Sequence, residues 1–182
     1  MTFAKSLTIM AVFTFVSSAQ AFELTSQDIQ PGKLMPKAQE YIGFGCEGDN
    51  LSPQLAWRDV PTGTKSFAVT VYDPDAPTGS GWWHWLAYDI PAKVRELPRN
   101  AGDTDTNIAP KGMVQHRNDY GAAGFGGACP PVGDKPHRYQ FKVFALDVES
   151  LDIDPQSSAA LVGYMIHAHS LGEADLEAKY KR

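Results

Sequence analysis

The sequence predicts a mainly β domain, on three observations. Three segments, Ser66–Tyr72, Trp82–Ile90 and Tyr139–Asp147, are rich in the β-branched and aromatic residues that pack well in a sheet. Glycine and proline are spread through the middle of the chain, which favours strands joined by irregular loops over a helical bundle. A helical pattern emerges only beyond Asp154.

Taken in order, the first 21 residues have the parts of a secretory signal peptide. A short segment carrying Lys5 is followed by the apolar run Leu7–Val16 and the small-residue site Ala19-Gln20-Ala21. The apolar run is too short to span a bilayer comfortably, and no cysteine follows it as a lipoprotein signal would require. The expected mature chain, 22–182, is one domain of roughly 160 residues, large enough to enclose its own core. Its charge is one unit more negative than the -5 of the whole chain. With no stripe of Lys or Arg visible, nucleic acid is not an expected partner.

Within that domain Phe22–Thr25 alternates as an edge strand does. Asn50–Pro53 reads as a loop, Leu55–Trp57 as the start of a strand, and Pro61-Thr62-Gly63-Thr64 as a hairpin turn. Ser66–Tyr72 is the first strong strand, and Asp73-Pro74-Asp75-Ala76-Pro77 ends it because proline blocks regular pairing. After the turn Thr78–Gly81, Trp82–Ile90 forms the second strong strand, stopped by Pro91. Strict alternation puts Trp83 and Trp85 on one face, and Trp82, His84 and Leu86 on the other. The stretch from Arg99 to Pro136 is loop-like, and Tyr120, Phe125 and Cys129 within it favour order. Tyr139–Asp147 is the third strong strand. Asp154 then caps a helix with Pro155 at its first position, an apolar stripe of Leu161, Tyr164, Met165 and Ala168, and Gly172 as its break. A second short helix is expected over Ala174–Lys179, with cations at its carboxyl end.

Cys46 and Cys129 are the two cysteines of the chain. In an oxidising compartment a small even number suggests one disulfide, worth roughly 4 kcal/mol by loop closure; the competing reading is two free, buried thiols. Neither belongs to a Cys-x-x-Cys pair, so they do not read as a metal site.

The chemistry-bearing residues are Asp73, His84 and His137, each at or beside the end of a strong strand. Converging in a twisted sheet, a protonated histidine, exposed backbone N–H groups and a tyrosine hydroxyl would bind an oxyanion or phosphate. An aspartate nearby would hold a histidine charged or fix its tautomer. The plainer reading is that Asp73 caps the Asp-Pro-Asp turn and the histidines are hydrogen-bonded structural residues. No His-x-His or His-Glu-x-x-His pattern accompanies these residues, and a helical spacing of two would point His167 and His169 to different faces, so no metal is expected. Ser80 lacks the strand-turn-helix setting of a nucleophile elbow, and Gly121–Gly127 lacks the Gly-Lys-Ser/Thr of a nucleotide loop. Trp82 beside His84 reads as a candidate wall of a ligand pocket.

The blocks Asp73-Pro74-Asp75-Ala76-Pro77 with Trp82-x-His84, and Pro130-Pro131-x-Gly133-x-x-x-His137-Arg138-Tyr139, resemble the phosphatidylethanolamine-binding protein family, also called the Raf kinase inhibitor protein family. Cys46-x-Gly48-x-Asn50-x-Ser52-Pro53-x-Leu55-x-Trp57 resembles its bacterial branch. The resemblance covers essentially the whole mature chain. It implies a large antiparallel sheet packed on a smaller one, with short C-terminal helices, and a surface pocket for a phosphate or phospholipid headgroup. The ligand-binding residues it implies are Asp73, Trp82, His84, Gly127, Cys129, Pro130, Pro131, His137 and Tyr139. Many relatives have Gly-x-Gly-Pro-Pro where this chain has Gly127-Ala128-Cys129-Pro130-Pro131, so the pocket's backbone N–H would come from Cys129. A Cys46–Cys129 bridge would brace one wall.

The expected function is therefore non-enzymatic binding of a small anionic or phosphate-bearing ligand, without a cofactor, by a periplasmic or secreted protein. A phosphorylated partner protein is an alternative ligand, and a homodimer is compatible with the sequence. The alternatives are a weak phosphoester or phospholipid hydrolase using His84 or His137 as general base, and an interaction module with a vestigial pocket. Kinase inhibition is not carried over, because an exported protein does not meet cytoplasmic kinases.

Overall fold

A computed structural model describes residues 21–182, so the signal-peptide reading falls almost wholly outside the described residues. The strands are β1 (Glu23–Thr25), β2 (Ile42–Gly43), β3 (Cys46–Glu47), β4 (Leu55–Arg58), β5 (Ser66–Asp73), β6 (Trp82–Pro91), β7 (Glu96–Leu97), β8 (Val114–Gln115) and β9 (His137–Leu146). The helix α1 (Ala159–Ala168) and the strand β10 (Ser170–Tyr180) complete the chain. The strands pair antiparallel as a five-stranded sheet in the order β10-β9-β5-β6-β8, a three-stranded sheet β1-β4-β7, and the small hairpin β2-β3.

The large sheet is the middle of three layers. On one face Phe67, Val69, Val71, Trp85, Phe141, Val143 and Leu176 meet Leu24, Leu55 and Trp57 of the small sheet. On the other, Ala68, Leu86, Tyr88, Phe144 and Leu146 pack against Val162 and Ile166 of α1. β5 is covered on both faces, which is why its sequence reads as a continuous apolar run rather than an alternation. The three strong strands predicted from composition are β5, β6 and β9, and Phe22–Thr25 and Leu55–Trp57 contribute β1 and β4.

Four expectations are corrected. The Pro61–Thr64 turn is not a hairpin: β4 belongs to the small sheet and β5 to the large one, so the turn carries the chain between layers. Ser158, not Asp154, caps the helix, its hydroxyl accepting the Leu161 N–H at 3.2 Å. Asp154 instead closes a turn through the Gln156 and Ser157 N–H groups. The helix therefore buries Val162 and Ile166, while Leu161 and Tyr164 face solvent.

The expected second helix over Ala174–Lys179 is β10. Its residues are good helix formers, but they complete the open edge of β9 in continuous register from Gly172↔Ala145 to Tyr180↔His137. The period-2 burial of Ala174, Leu176, Ala178 and Tyr180 is the signal that the helical composition outweighed. Gly172 lies at a register shift in this strand rather than at a helix end.

The fourth correction concerns the tryptophans. Val71 pairs with Trp85 while Tyr72 pairs with Trp83, so His84 is an extra residue on β6. This bulge shifts the phase of the strand. Trp85 lies in the core between the sheets, and Trp83 packs against the helix side.

Candidate ligand-binding site

The bulge, the end of β5 and the start of β9 meet at one corner of the large sheet. They form the floor of a cavity of about 230 Å³. Asp73, His84, His137 and Tyr139 line it, and all four are almost completely buried, Tyr139 with only 1 % of its surface exposed. Antiparallel pairing of β9 with β5, ending at Tyr72↔Gln140, brings His137 and Tyr139 beside Asp73 across more than sixty residues of chain.

Each floor residue has a defined orientation. Asp73 accepts the Asp75 N–H on Oδ1 at 2.8 Å, and its Oδ2 is 2.8 Å from His137 Nδ1. The other nitrogen of His137, Nε2, lies 3.3 Å from Asp134 Oδ2. A protonated ring donates to both carboxylates at once, whereas a neutral ring leaves one nitrogen bare against an oxygen. His84 is turned the other way. Its Nδ1 lies 2.7 Å from the Gly126 carbonyl and 3.1 Å from that of Gly127, and since carbonyls only accept, Nδ1 carries the proton. Burial lowers the His84 pKa, and those two carbonyls offset part of the effect. The ring is then neutral, with Nε2 left for the cavity as an acceptor.

The walls are aromatic. The Tyr139 ring meets His84 edge-on at 5.1 Å, and Tyr120 meets His84 and Trp82 in the same manner. Tyr120 stacks on Tyr41 with centroids 3.9 Å apart, and its hydroxyl donates to the Gly127 carbonyl at 3.0 Å. Burial raises the pKa of Tyr139, and the Asp73 charge adds to the effect, so the group remains a hydroxyl. Burial does the same for Tyr120. Two polar atoms of these walls, Trp82 Nε1 and Tyr139 Oη, are buried; Trp82 Nε1 has no protein acceptor, and the Tyr139 hydroxyl has only a weak interaction with the Asp73 carboxylate, outside good hydrogen-bond geometry.

Eight of the nine residues implied by the resemblance line the cavity: Asp73, Trp82, His84, Cys129, Pro130, Pro131, His137 and Tyr139. Gly127 does not. Its carbonyl receives His84 and Tyr120, its N–H donates to Asn50 Oδ1 at 2.7 Å, and a Cβ on it would fall 2.5 Å from the Gln39 carbonyl oxygen. Gly127 thus positions the residues that do line the site. Cys129 is joined to Cys46 and is not among the residues with positive φ, so replacing glycine there brings no left-handed strain.

Phe44, Ala76, Pro77, Thr78, Tyr120 and Arg182 also line the cavity and were not reached from the sequence. Asp75, beside this rim, is paired with Arg138, whose guanidinium holds its carboxyl down at about 2.

A two-sheet β domain that opens an aromatic-walled, polar-floored cavity at the ends of its central strands is built to hold a small molecule. Residues 25–181 match the family model described as phosphatidylethanolamine-binding protein, and the chain belongs to that family, among its bacterial members. It is 56% identical over 174 residues to the UPF0098 protein YbcL of Escherichia coli strain K12, covering 96% of this chain and 95% of that one. It is 49% identical over 158 residues to YbhB of the same organism, covering 87% and 99%. The crystal structure of E. coli YbcL, described as a member of the mammalian PEBP family, superposes with a TM-score of 0.86 at 57% identity, over 88% of this chain and 98% of that one. A Chlamydia trachomatis homologue of phosphatidylethanolamine-binding protein gives a TM-score of 0.73 at 31% identity, over 89% and 98%.

Proposed function

We propose that this protein binds a small anionic, phosphate-bearing ligand in the cavity without turning it over, and that its first 21 residues direct it out of the cytoplasm. The observation that carries the binding reading is the pair of buried donors on one cavity, Trp82 Nε1–H without a protein partner and Tyr139 O–H with only a weak interaction with Asp73. An unpaired buried polar group costs about 1–3 kcal/mol, and a ligand oxygen removes that cost. His84 Nε2 accepts a hydrogen bond from a protonated phosphate oxygen, or takes up a proton as the anion binds. Arg182 at the rim supplies a permanent positive charge. The ligand after which the family is named supports a phospholipid headgroup as one source of such a phosphate.

The hydrolase reading has less support. His137 is held between two carboxylates, Cys129 is oxidised, and the Thr78 hydroxyl donates to the Gly81 carbonyl. A nucleophile or water-activating pair beside His84 is therefore missing among the described residues lining the cavity.

The test is a titration of inorganic phosphate, followed by NMR, on wild type and Tyr139→Phe. Wild type shifts the resonances of Asp73, His84, Cys129, His137 and Tyr139 together, and Tyr139→Phe weakens binding about tenfold, the worth of one buried hydrogen bond to an anion. Stability changes by less than about 1 kcal/mol, because the hydroxyl has only a weak interaction with Asp73 to lose. Shifts scattered over the surface, or equal affinity for the two proteins, overturn the reading. A phosphoester turnover assay that gives the same rate for wild type and His84→Ala as for buffer removes the enzyme; a His84-dependent rate would replace the binding reading.

A further inference from the structure

The rim of the cavity is built from two segments far apart in sequence. The hairpin of β2 and β3 carries Gly43, Phe44 and Gly45, and the loop beyond Gly127 carries Cys129, Pro130 and Pro131. The Cys46–Cys129 disulfide, with a sequence separation of 83, ties them together. Gly45 and Pro130 are the immediate neighbours of the two half-cystines, and their carbonyls accept hydrogen bonds from one side chain. Arg182 Nη1–H donates to Gly45 O at 2.6 Å, and Arg182 Nε–H donates to Pro130 O at 2.8 Å. Arg182 is also the one lysine or arginine among the residues lining the cavity.

We propose that the disulfide and Arg182 act as a unit: the cross-link sets the spacing of the Gly45 and Pro130 carbonyls, the carbonyls hold the guanidinium at the cavity mouth, and the fixed charge makes the cavity selective for anions. This rests on the anion-binding reading above. A guanidinium has five donors in a planar fork, and two are used here. Nη2 and the second hydrogen of Nη1 stay available to an anion. A free arginine would lose rotamer freedom on closing over a ligand, whereas one already clasped to backbone loses little. The arrangement makes anion affinity depend on the oxidation state of the chain. A dithiol reductant that cleaves the S–S bond yields two thiols and is itself oxidised to a disulfide; the two carbonyls are then free to separate and the guanidinium to leave the mouth.

The experiment is a double-mutant cycle on phosphate affinity, with wild type, Arg182→Gln, Cys46→Ser/Cys129→Ser and the combined variant. Arg182→Gln weakens binding about tenfold, as loss of a charge-assisted hydrogen bond does. The cysteine variant weakens it by a similar factor, and the combined variant is no weaker than Arg182→Gln, because both changes remove one device. Independently of any anion, the Arg182 Nε–H resonance is sharp and slow to exchange in the oxidised protein and averaged once the disulfide is gone. If the cysteine variant does not fold, Arg182→Lys takes its place: it keeps charge and disulfide, lacks the fork, and binds more like the Gln variant than like wild type. Fully additive losses, a Lys variant equal to wild type, or Arg182→Gln equal to a phosphate-binding wild type, each overturn the unit while leaving the anion reading intact. A wild type that ignores phosphate while its Arg182 Nε–H stays protected overturns the anion reading and, with it, the selective role of Arg182.

Discussion

The floor and the rim of the cavity are held by different means. The floor residues Asp73, His84, His137 and Tyr139 stand on β5, β6 and β9, the central strands of the large sheet, whose core side chains are almost fully buried. The rim hangs on a two-residue-per-strand hairpin and an irregular loop, joined by the ring contacts of Tyr41, Phe44 and Tyr120 and outside the regular ladder of the large sheet. It is secured by the backbone bridge of Gln39 and Tyr41 to Ala128, a disulfide, the Arg182 clasp, and the hydrogen bond from the Tyr180 hydroxyl to Glu40. The cavity thus joins a surface that cannot move without unfolding the sheet to one whose position depends on a few discrete bonds.

Removing the cross-link takes away the rim's one covalent tie and has the largest expected effect. Loop-closure entropy over 83 residues predicts about 4.5 kcal/mol, and measured losses for native disulfides run about 2–5 kcal/mol. Denaturant unfolding of Cys46→Ser/Cys129→Ser checks it. A loss below about 1 kcal/mol would mean that the remaining rim contacts suffice.

Next in size is Tyr180→Phe. Glu40 is buried, with Glu47 N–H on its Oε1 at 2.7 Å and Tyr180 O–H on Oε2. Burial alone would raise the Glu40 pKa, but these two hydrogen bonds, with Lys37 and Arg182, hold it below the ordinary 4.5. Its stabilising contribution is therefore present above pH 4.5 and fades as pH falls through the lower folded value. Tyr180→Phe costs about 1.5–3 kcal/mol at pH 7. The cost shrinks in acid, and a pH-independent loss would show that the ring, not the hydrogen bond, matters.

The smallest effect tests the floor. His84 titrates lower in the folded protein than the ordinary 6.5, so the unfolded chain binds its proton first as pH falls. Stability then drops below pH 6.5 by at most about 1.4 kcal/mol per pH unit from this group, until the folded ring titrates. The stability–pH curve of His84→Gln, which cannot take up that proton, is flatter by one proton over the same window. Parallel curves would show that His84 is not held neutral.

How much of this was readable in the sequence differs element by element. β5, β6 and β9 were legible because central strands, buried on one face along their length and on both in β5, draw β-branched and aromatic residues whatever their neighbours. β10 was misread because Ala174–Lys179 has helical composition, and only the open edge of β9 makes it a strand. The faces of Trp83 and Trp85 were misassigned because one inserted residue at a bulge shifts every later side chain, and nothing local marks His84 as that residue. Of the cavity, the floor was anticipated from strand ends and from the family resemblance. Phe44, Tyr120 and Arg182 were not, since each arrives from a separate loop or terminus.

The β class, the three central strands and the polar residues at their ends follow from the chain's local chemistry, because composition and proline punctuation act locally. Only tertiary structure decided that β10 closes the sheet, that the bulge at His84 turns its ring toward the loop carbonyls, and that Arg182 crosses the disulfide to reach the cavity. Those three depend on pairings between residues tens to more than a hundred positions apart, where no local preference operates.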